Sequence, residues 1–160
     1  MSYRWSAIVL CSAVCGASQS RARWSRVAAV SGSGLAAAGD SVVALLGGAR
    51  LAGQPLYAAD SAALHALVPA SRRVGLRLAL APARVWCDDP QGAGRTVGTV
   101  VSLRLDPKVA DRHEVRWSAT CLITPHGEAA PAMFGESGAY EVVRRGGQWR
   151  VSRALAHFAH

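Results

Sequence analysis

Side chains able to do acid–base chemistry are few in this sequence, and most stand next to turn-forming residues. Proton abstraction in an apolar pocket needs a base with a second group opposite it that stabilises the developing charge. The polar candidates are Asp88, Asp89, Asp106, Asp111 and His113, all at turns or strand entrances, Tyr140 at the start of a hairpin, and His157 and His160 at the chain end. No acid and base pair is assigned among them, so the sequence favours a non-catalytic protein and predicts no catalytic residue.

Cysteine and glycine spacing points away from metal and phosphate chemistry. Cys87 and Cys121 fall on two predicted strands and lack the Cys-x-x-Cys spacing of a metal site. They could form a disulfide in an oxidising compartment or remain buried thiols, and both readings stay open. The glycine-rich stretches lack the lysine of a phosphate loop. We therefore expect neither a metal nor a cofactor.

The charge balance favours anionic partners. The 160 residues include 18 basic and 10 acidic side chains, for a net charge of +8, and Lys108 is the only lysine. An arginine excess of this kind also accompanies the composition of a GC-rich genome. A candidate basic surface near the C-terminus consists of Arg144, Arg145, Arg150 and Arg153. Strand alternation puts Arg144 and Arg145 on opposite faces, and aromatic residues for base stacking are few, which favours a solvated face over a nucleic-acid site.

Residues 1–33 resemble a targeting or anchoring segment. Residues 1–39 contain four arginines, eight serines and no acid, and one apolar run covers residues 5–17. That run is too short to span a bilayer but suits the apolar region of a secretory signal. Export to the cell envelope is the predicted address. A mitochondrial or other organellar transit peptide is the alternative, because such peptides are also rich in arginine and serine.

The remaining residues 34–160 are predicted to form one domain that begins with two helices. The first is expected over Gly34–Leu46, ending at a glycine pair. The second begins near Asp60, an N-cap candidate, and is expected to stop at Pro69.

After Pro69 the apolar pattern alternates, which predicts strands. Such faces occur over residues 74–80, at Val97, Val101, Leu103 and Leu105, and over residues 115–123, with turns predicted at residues 88–94 and 106–108. The sharpest signal is a terminal hairpin that turns at Gly146 and Gly147, which accept positive φ angles. This pattern predicts an α+β fold with helices packed on a curved, mainly antiparallel sheet of about five strands.

The same faces supply candidates for lining a ligand pocket. They are Leu76, Leu78, Val101, Trp117, Tyr140 and Trp149.

The helices are followed by strands that end in residues 140–151, where Gly147, Trp149 and Val151 form a Gly-x-Trp-x-Val pattern. This order of elements and this pattern resemble the nuclear transport factor 2-like superfamily. The resemblance implies a cone-shaped α+β domain, which hosts cyclases and isomerases as well as non-catalytic modules of envelope assemblies. We predict a non-catalytic interaction module of an exported or membrane-associated assembly, with other protein subunits as partners. The alternatives are a binder or cyclase-like enzyme for a small apolar ligand, and an organellar subunit whose basic surface faces RNA or a membrane.

Overall fold

The computed structural model describes residues 33–47, 54–88, 94–123 and 131–159. These residues form two helices and six strands: α1 Gly34–Leu46, β1 Leu56–Ala58, α2 Ser61–Arg73, β2 Leu78–Leu80, β3 Thr99–Val109, β4 Arg112–Ile123, β5 Ala132–Arg145 and β6 Gln148–Ala159. The α+β class predicted from the sequence is confirmed. The predicted targeting segment, apart from Ser33, lies outside the described residues, as do Asp89 and His160. Within the described residues no helix is long and apolar enough to cross a membrane.

One mixed sheet holds all six strands, in the order β2-β1-β3-β4-β5-β6. Strand β1 is parallel to β2 and to β3, while β3 to β6 form a sequential antiparallel meander. The expectation of about five strands missed β1, a three-residue strand between the helices. Such a short strand carries no alternating pattern by which a sequence could reveal it.

Capping residues set where each helix begins. The Ser33 side chain accepts a hydrogen bond from the Ala36 amide at 3.1 Å, and Asp60 accepts one from the Ala63 amide at 2.8 Å. Both satisfy amides that the helix itself leaves unpaired. The first helix therefore spans the predicted residues, and the second begins where predicted.

The prediction that α2 stops at Pro69 is wrong, because the helix runs four residues further to Arg73. Tertiary contacts hold this last turn. Ala70 and Ser71 are buried, and the Ser71 hydroxyl donates to the Leu67 carbonyl at 2.9 Å. Arg73 forms a salt bridge with Asp40, a buried aspartate of α1. Packing therefore outweighs the hydrogen bond that proline removes.

The predicted turn at residues 106–108 is also wrong, since β3 continues through Pro107 to Val109 and the chain reverses at Ala110 and Asp111. Strand β1 pairs with Thr99–Val101 alone, so the later part of β3 has β4 as its neighbour on one side. The pairing also shifts register at Pro107. Proline is tolerated in strands at such edge and bulge positions.

Of the strand predicted over residues 74–80, the sheet contains Leu78–Leu80. The preceding residues, including the positive-φ Gly75, connect α2 to it.

The core lies between the two helices and one face of the sheet. Helix α1 contacts strands β3 to β6, and α2 contacts α1 and strands β1 to β3. The largest fully buried side chains are Leu56, Leu67, Val42, Val43, Val101, Val115, Tyr140 and Val142. The opposite face of the sheet therefore has no helix of the described residues packed on it.

Candidate functional site

Strand residues alternate between two faces of the sheet. The face that packs on the helices is here called the inner face, and the opposite one the outer face. Val101, Trp117 and Tyr140 lie on the inner face in one buried cluster with residues of both helices. Each face carries a set of polar residues that could act on a ligand or partner.

The six predicted pocket residues belong to this core. Val101, Trp117 and Tyr140 are buried within it, whereas the other three are partly buried residues packed at its margin: Leu76, Leu78 and Trp149. The structure thus gathers all six around the inner face. Trp149 is half-buried, with its ring stacked on His113 at a centroid distance of 4.5 Å.

A polar cluster on the inner face was not predicted from the sequence. Trp117, Gly138 and His157 stand directly opposite one another on β4, β5 and β6. Glu136, one position along the same face of β5, lies 2.9 Å from His157 between Oε2 and Nε2. The Glu136 side chain is 12% exposed and the His157 side chain 46%. A mostly buried carboxylate is thus paired with an imidazole at the open end of the core.

Glycine at position 138 makes room for the Trp117 indole. A Cβ there would lie 2.8 Å from the indole Nε1 and 2.5 Å from the Ala156 carbonyl oxygen. The Trp117 ring also lies 5.7 Å from the His157 ring, between centroids. The indole nitrogen is buried and has no hydrogen-bond partner in the part of the chain that the structure describes. An N–H in this position is a donor without an acceptor.

Tyr140 stacks beside Trp117, with 6.2 Å between ring centroids. Burial raises the pKa of its hydroxyl from 10.0 to about 12. The hydroxyl therefore keeps its proton well into the alkaline range. Tyr140, Trp117, His157 and Glu136 together place donors, an imidazole and a carboxylate on one face.

The other polar candidates do not join this cluster. Asp88 is exposed, and Asp106 lies on the outer face, 3.3 Å from Arg116. Asp111 is at the β3–β4 turn, where its carbonyl accepts the Arg144 amide. His113 lies on the inner face at the opposite end, against Trp149.

The outer face presents charges in rows that cross the strands. Asp106, Glu114 and Glu141 stand opposite one another on β3, β4 and β5, and are here called the acidic row. Arginines flank this row on both sides and at its β6 end: Arg104 and Arg116 on one side, Arg112 and Arg150 on the other, and Arg153 opposite Glu141. A further neighbouring row contains Ser102 and Ser118, whose hydroxyl oxygens are 2.8 Å apart.

Each carboxylate of the acidic row has a cationic partner. Arg116 lies 2.9 Å from Glu114 and 3.3 Å from Asp106, and Arg153 lies 3.4 Å from Glu141. The hydrogen bond from Arg116 lowers the pKa of Glu114. The pKa of Glu141 is also lowered, first by the hydrogen bond from the Ser152 hydroxyl and then by nearby arginines. Glu114 and Glu141 are therefore ionised at neutral pH.

The arginines of this face outnumber its acids. Among the described residues, Arg104, Arg145 and Arg150 have no carboxylate within salt-bridge distance, and all three are exposed. Of the four arginines predicted as a basic surface, Arg145, Arg150 and Arg153 lie on the outer face. Arg144 pairs with Trp149 across the hairpin and so belongs to the other face, as the alternation predicts.

Cys87 and Cys121 are joined by a disulfide that closes a 34-residue separation. It ties the segment before β3 to β4, where Trp86 also bridges Val97 and Leu122. The Arg95 guanidinium lies 4.0 Å from the Trp86 ring centroid. The bond belongs to the framework of the sheet, and its Cys121 lies on β4, the strand that also carries Trp117.

Sequence reasoning missed the Glu136–His157 pair and the acidic row. Both depend on the pairing register, and β5 and β6 shift register twice between the turn and Glu136. The described residues contain no group of acidic, histidine or cysteine side chains arranged to hold a metal ion. Comparisons of the chain with protein-family models, with curated proteins and with solved structures find no match.

Proposed function

We propose that this protein is a non-catalytic interaction module that binds an acidic partner protein through the outer face of its sheet. The observation that supports the proposal is the excess of arginine on that face. All three carboxylates of the acidic row are already paired, while Arg104, Arg145 and Arg150 are exposed without an acidic partner in the described residues. Arginine is suited to this task because its planar group binds carboxylates through two hydrogen bonds.

The acidic row favours a protein over a nucleic acid as the partner. Carboxylates between the arginines would repel a continuous phosphate backbone, whereas a protein surface can match an alternating pattern of charges. Bases also bind single strands by stacking on aromatic side chains. Two aromatic side chains lie on the outer face of the described strands: Phe158 stands at one end of β6, and Tyr57 is half-buried on the short strand β1.

Exposed apolar side chains at that end support the same interpretation. Met133 is 69% exposed and Phe158 58% exposed, on β5 and β6. Protein interfaces combine such apolar contacts with arginine. A partner carrying both acidic and apolar side chains would therefore fit this surface.

The compartment proposed for this interaction is the cell envelope or another oxidising space. The Cys87–Cys121 disulfide supports it, because disulfides persist outside the reducing cytosol. The signal-like composition of residues 1–33 supports it independently.

The proposal is tested with a fluorescein-labelled acidic peptide, such as an alternating Glu-Leu dodecamer, and two variants of equal net charge. One replaces Arg104, Arg145 and Arg150 with glutamine on the outer face. The matched control replaces Arg72 of α2, Arg84 of the segment after β2 and Arg144 of the inner face, all of which are exposed. If each outer arginine contributes about 0.5 kcal/mol, the first variant should bind the peptide about tenfold more weakly, and the control about as well as the unmodified chain.

Equal losses in both variants would show that binding follows net charge alone and would contradict the proposal. Single-stranded DNA and vesicles of 30% phosphatidylglycerol in phosphatidylcholine serve as competing probes. Tighter binding to either probe, dependent on the three outer arginines, would assign the face to nucleic acid or membrane instead of protein.

A further inference from the structure

The cluster on the inner face is separate from the surface of the proposed interaction. The outer-face arginines and the Trp117 indole lie on opposite sides of the same strands. The inner cluster is therefore free to serve a second purpose, and its chemistry can be considered by itself.

The Trp117 indole N–H carries the argument. The residue is 3% exposed, and its Nε1 has no acceptor among the described residues. A buried donor without an acceptor destabilises the folded chain relative to one that is paired. A molecule that brings an acceptor oxygen to this N–H would remove that penalty and so gain affinity.

Surrounding residues define what else that molecule must be. Ala119 and Tyr140 flank Trp117 on the inner face, and Phe134, 48% exposed, lies further along the same face of β5. These side chains favour a ligand whose surface is mostly apolar. Glu136, which pairs with His157, disfavours a carboxylate or phosphate on the ligand by charge repulsion. A neutral carbonyl oxygen can accept the indole hydrogen bond and carries no negative charge near Glu136.

We propose that the inner face between Trp117 and His157 binds a small, neutral, largely apolar molecule through a hydrogen bond from the Trp117 indole N–H to its carbonyl oxygen. Because Nε1 is buried, the ligand reaches it only when a neighbouring side chain moves aside. His157 is the neighbour with most freedom, since 46% of its side chain is exposed. Its ring lies beside the indole at the open end of the row formed with Gly138.

The test uses two probes of nearly equal shape: acetophenone, which has a carbonyl oxygen, and ethylbenzene, which lacks it. Each is titrated into the full-length, ¹⁵N-labelled protein while the indole N–H resonances are followed by NMR. Trp117→Phe identifies the resonance of this residue among the five tryptophans. Acetophenone should shift that resonance downfield in a saturable way and bind about tenfold more tightly than ethylbenzene, which corresponds to about 1.4 kcal/mol.

Trp117→Phe retains an aromatic ring but loses the donor, so it should bind the two probes equally. Trp149→Phe is the matched control at the margin of the same face, and it should keep the preference for acetophenone. Equal affinities of the unmodified protein for both probes would overturn the proposal, as would an unshifted Trp117 resonance at saturating acetophenone. The comparison of the two affinities comes from the unmodified protein and does not depend on any variant folding. It is also independent of the acidic-peptide assay.

Discussion

Two tryptophans on the same face of the sheet differ in how far they are withdrawn from water. Trp117 is 3% exposed and lies under the helices beside Tyr140. Trp149 is half-buried near the start of α1, stacked on His113. Both rings are apolar and large, so the difference in burial decides how much each contributes to the free energy of unfolding.

Replacing each tryptophan with alanine should separate these contributions. Trp117→Ala should lower the free energy of unfolding by about 3 to 5 kcal/mol, and Trp149→Ala by about half as much, because its ring is only half withdrawn from water. Urea denaturation followed by circular dichroism measures both. If Trp149→Ala lowered the free energy of unfolding as much as Trp117→Ala or more, the result would contradict the difference in burial between the two rings.

Tyr140 gives the fold a dependence on alkaline pH. Its pKa is raised to about 12 in the folded chain, against 10.0 for an ordinary tyrosine. The unfolded chain therefore loses this proton first, so the stabilisation is complete below pH 10 and is lost as the pH rises towards 12. Between pH 9 and 12, the melting temperature should fall less steeply with rising pH for Tyr140→Phe than for the unmodified protein. Parallel curves for the two proteins would show that Tyr140 does not titrate late.

At the scale of elements, the turn between β5 and β6 depends on backbone conformation alone. Gly146 and Gly147 have φ angles of 57° and 77°. No atom lies within 4 Å of where a Cβ would stand on either residue, leaving out their chain neighbours. Any cost of substitution therefore comes from the left-handed conformation and not from a clash.

Valine at Gly146 should lower the free energy of unfolding by about 1 to 2 kcal/mol, because side chains disfavour that conformation. Gly146→Asn, with a residue that tolerates positive φ, is the control and should cost clearly less. Both are measured by thermal denaturation. Similar losses for asparagine and valine would argue against a conformational origin.

The disulfide also acts at this scale by joining β4 to the segment before β3. Replacing Cys87 and Cys121 with serine should cost about 3 to 4 kcal/mol in the chain-entropy model for a loop of this length. A thiol assay on the denatured, unreduced protein should find neither of these two cysteines free. Free thiols at both positions would instead favour the buried-thiol reading and remove one support for an oxidising compartment.

Elements with local signals were predictable from the sequence, whereas those fixed by distant contacts were not. The glycine pair after Leu46 marks the end of α1, and the glycines at 146 and 147 mark the hairpin, by themselves. The last turn of α2 depends on Asp40, which lies 33 residues before Arg73. The Glu136–His157 pair likewise spans 21 residues and two register shifts. Alternation assigns a side chain to a face but does not show what stands opposite it.

At the scale of the whole molecule, residues from Ser33 onward supply the core that the structure describes. We expect deletion of residues 1–20 to leave a domain that unfolds cooperatively, with a melting temperature within a few degrees of the full chain. Differential scanning calorimetry of both forms measures this. A broad, non-cooperative transition in the shortened chain would place the N-terminal residues in the core.

The contact between α1 and β6 joins the first described helix to the last described strand. The ribosome releases α1 long before it releases β6. The apolar side of the helix therefore stays exposed while strands β3 to β6 are synthesised. The core closes only after the C-terminal residues emerge. Until then the apolar side of α1 lacks its β6 contacts, and a chaperone that binds exposed apolar surface could cover it.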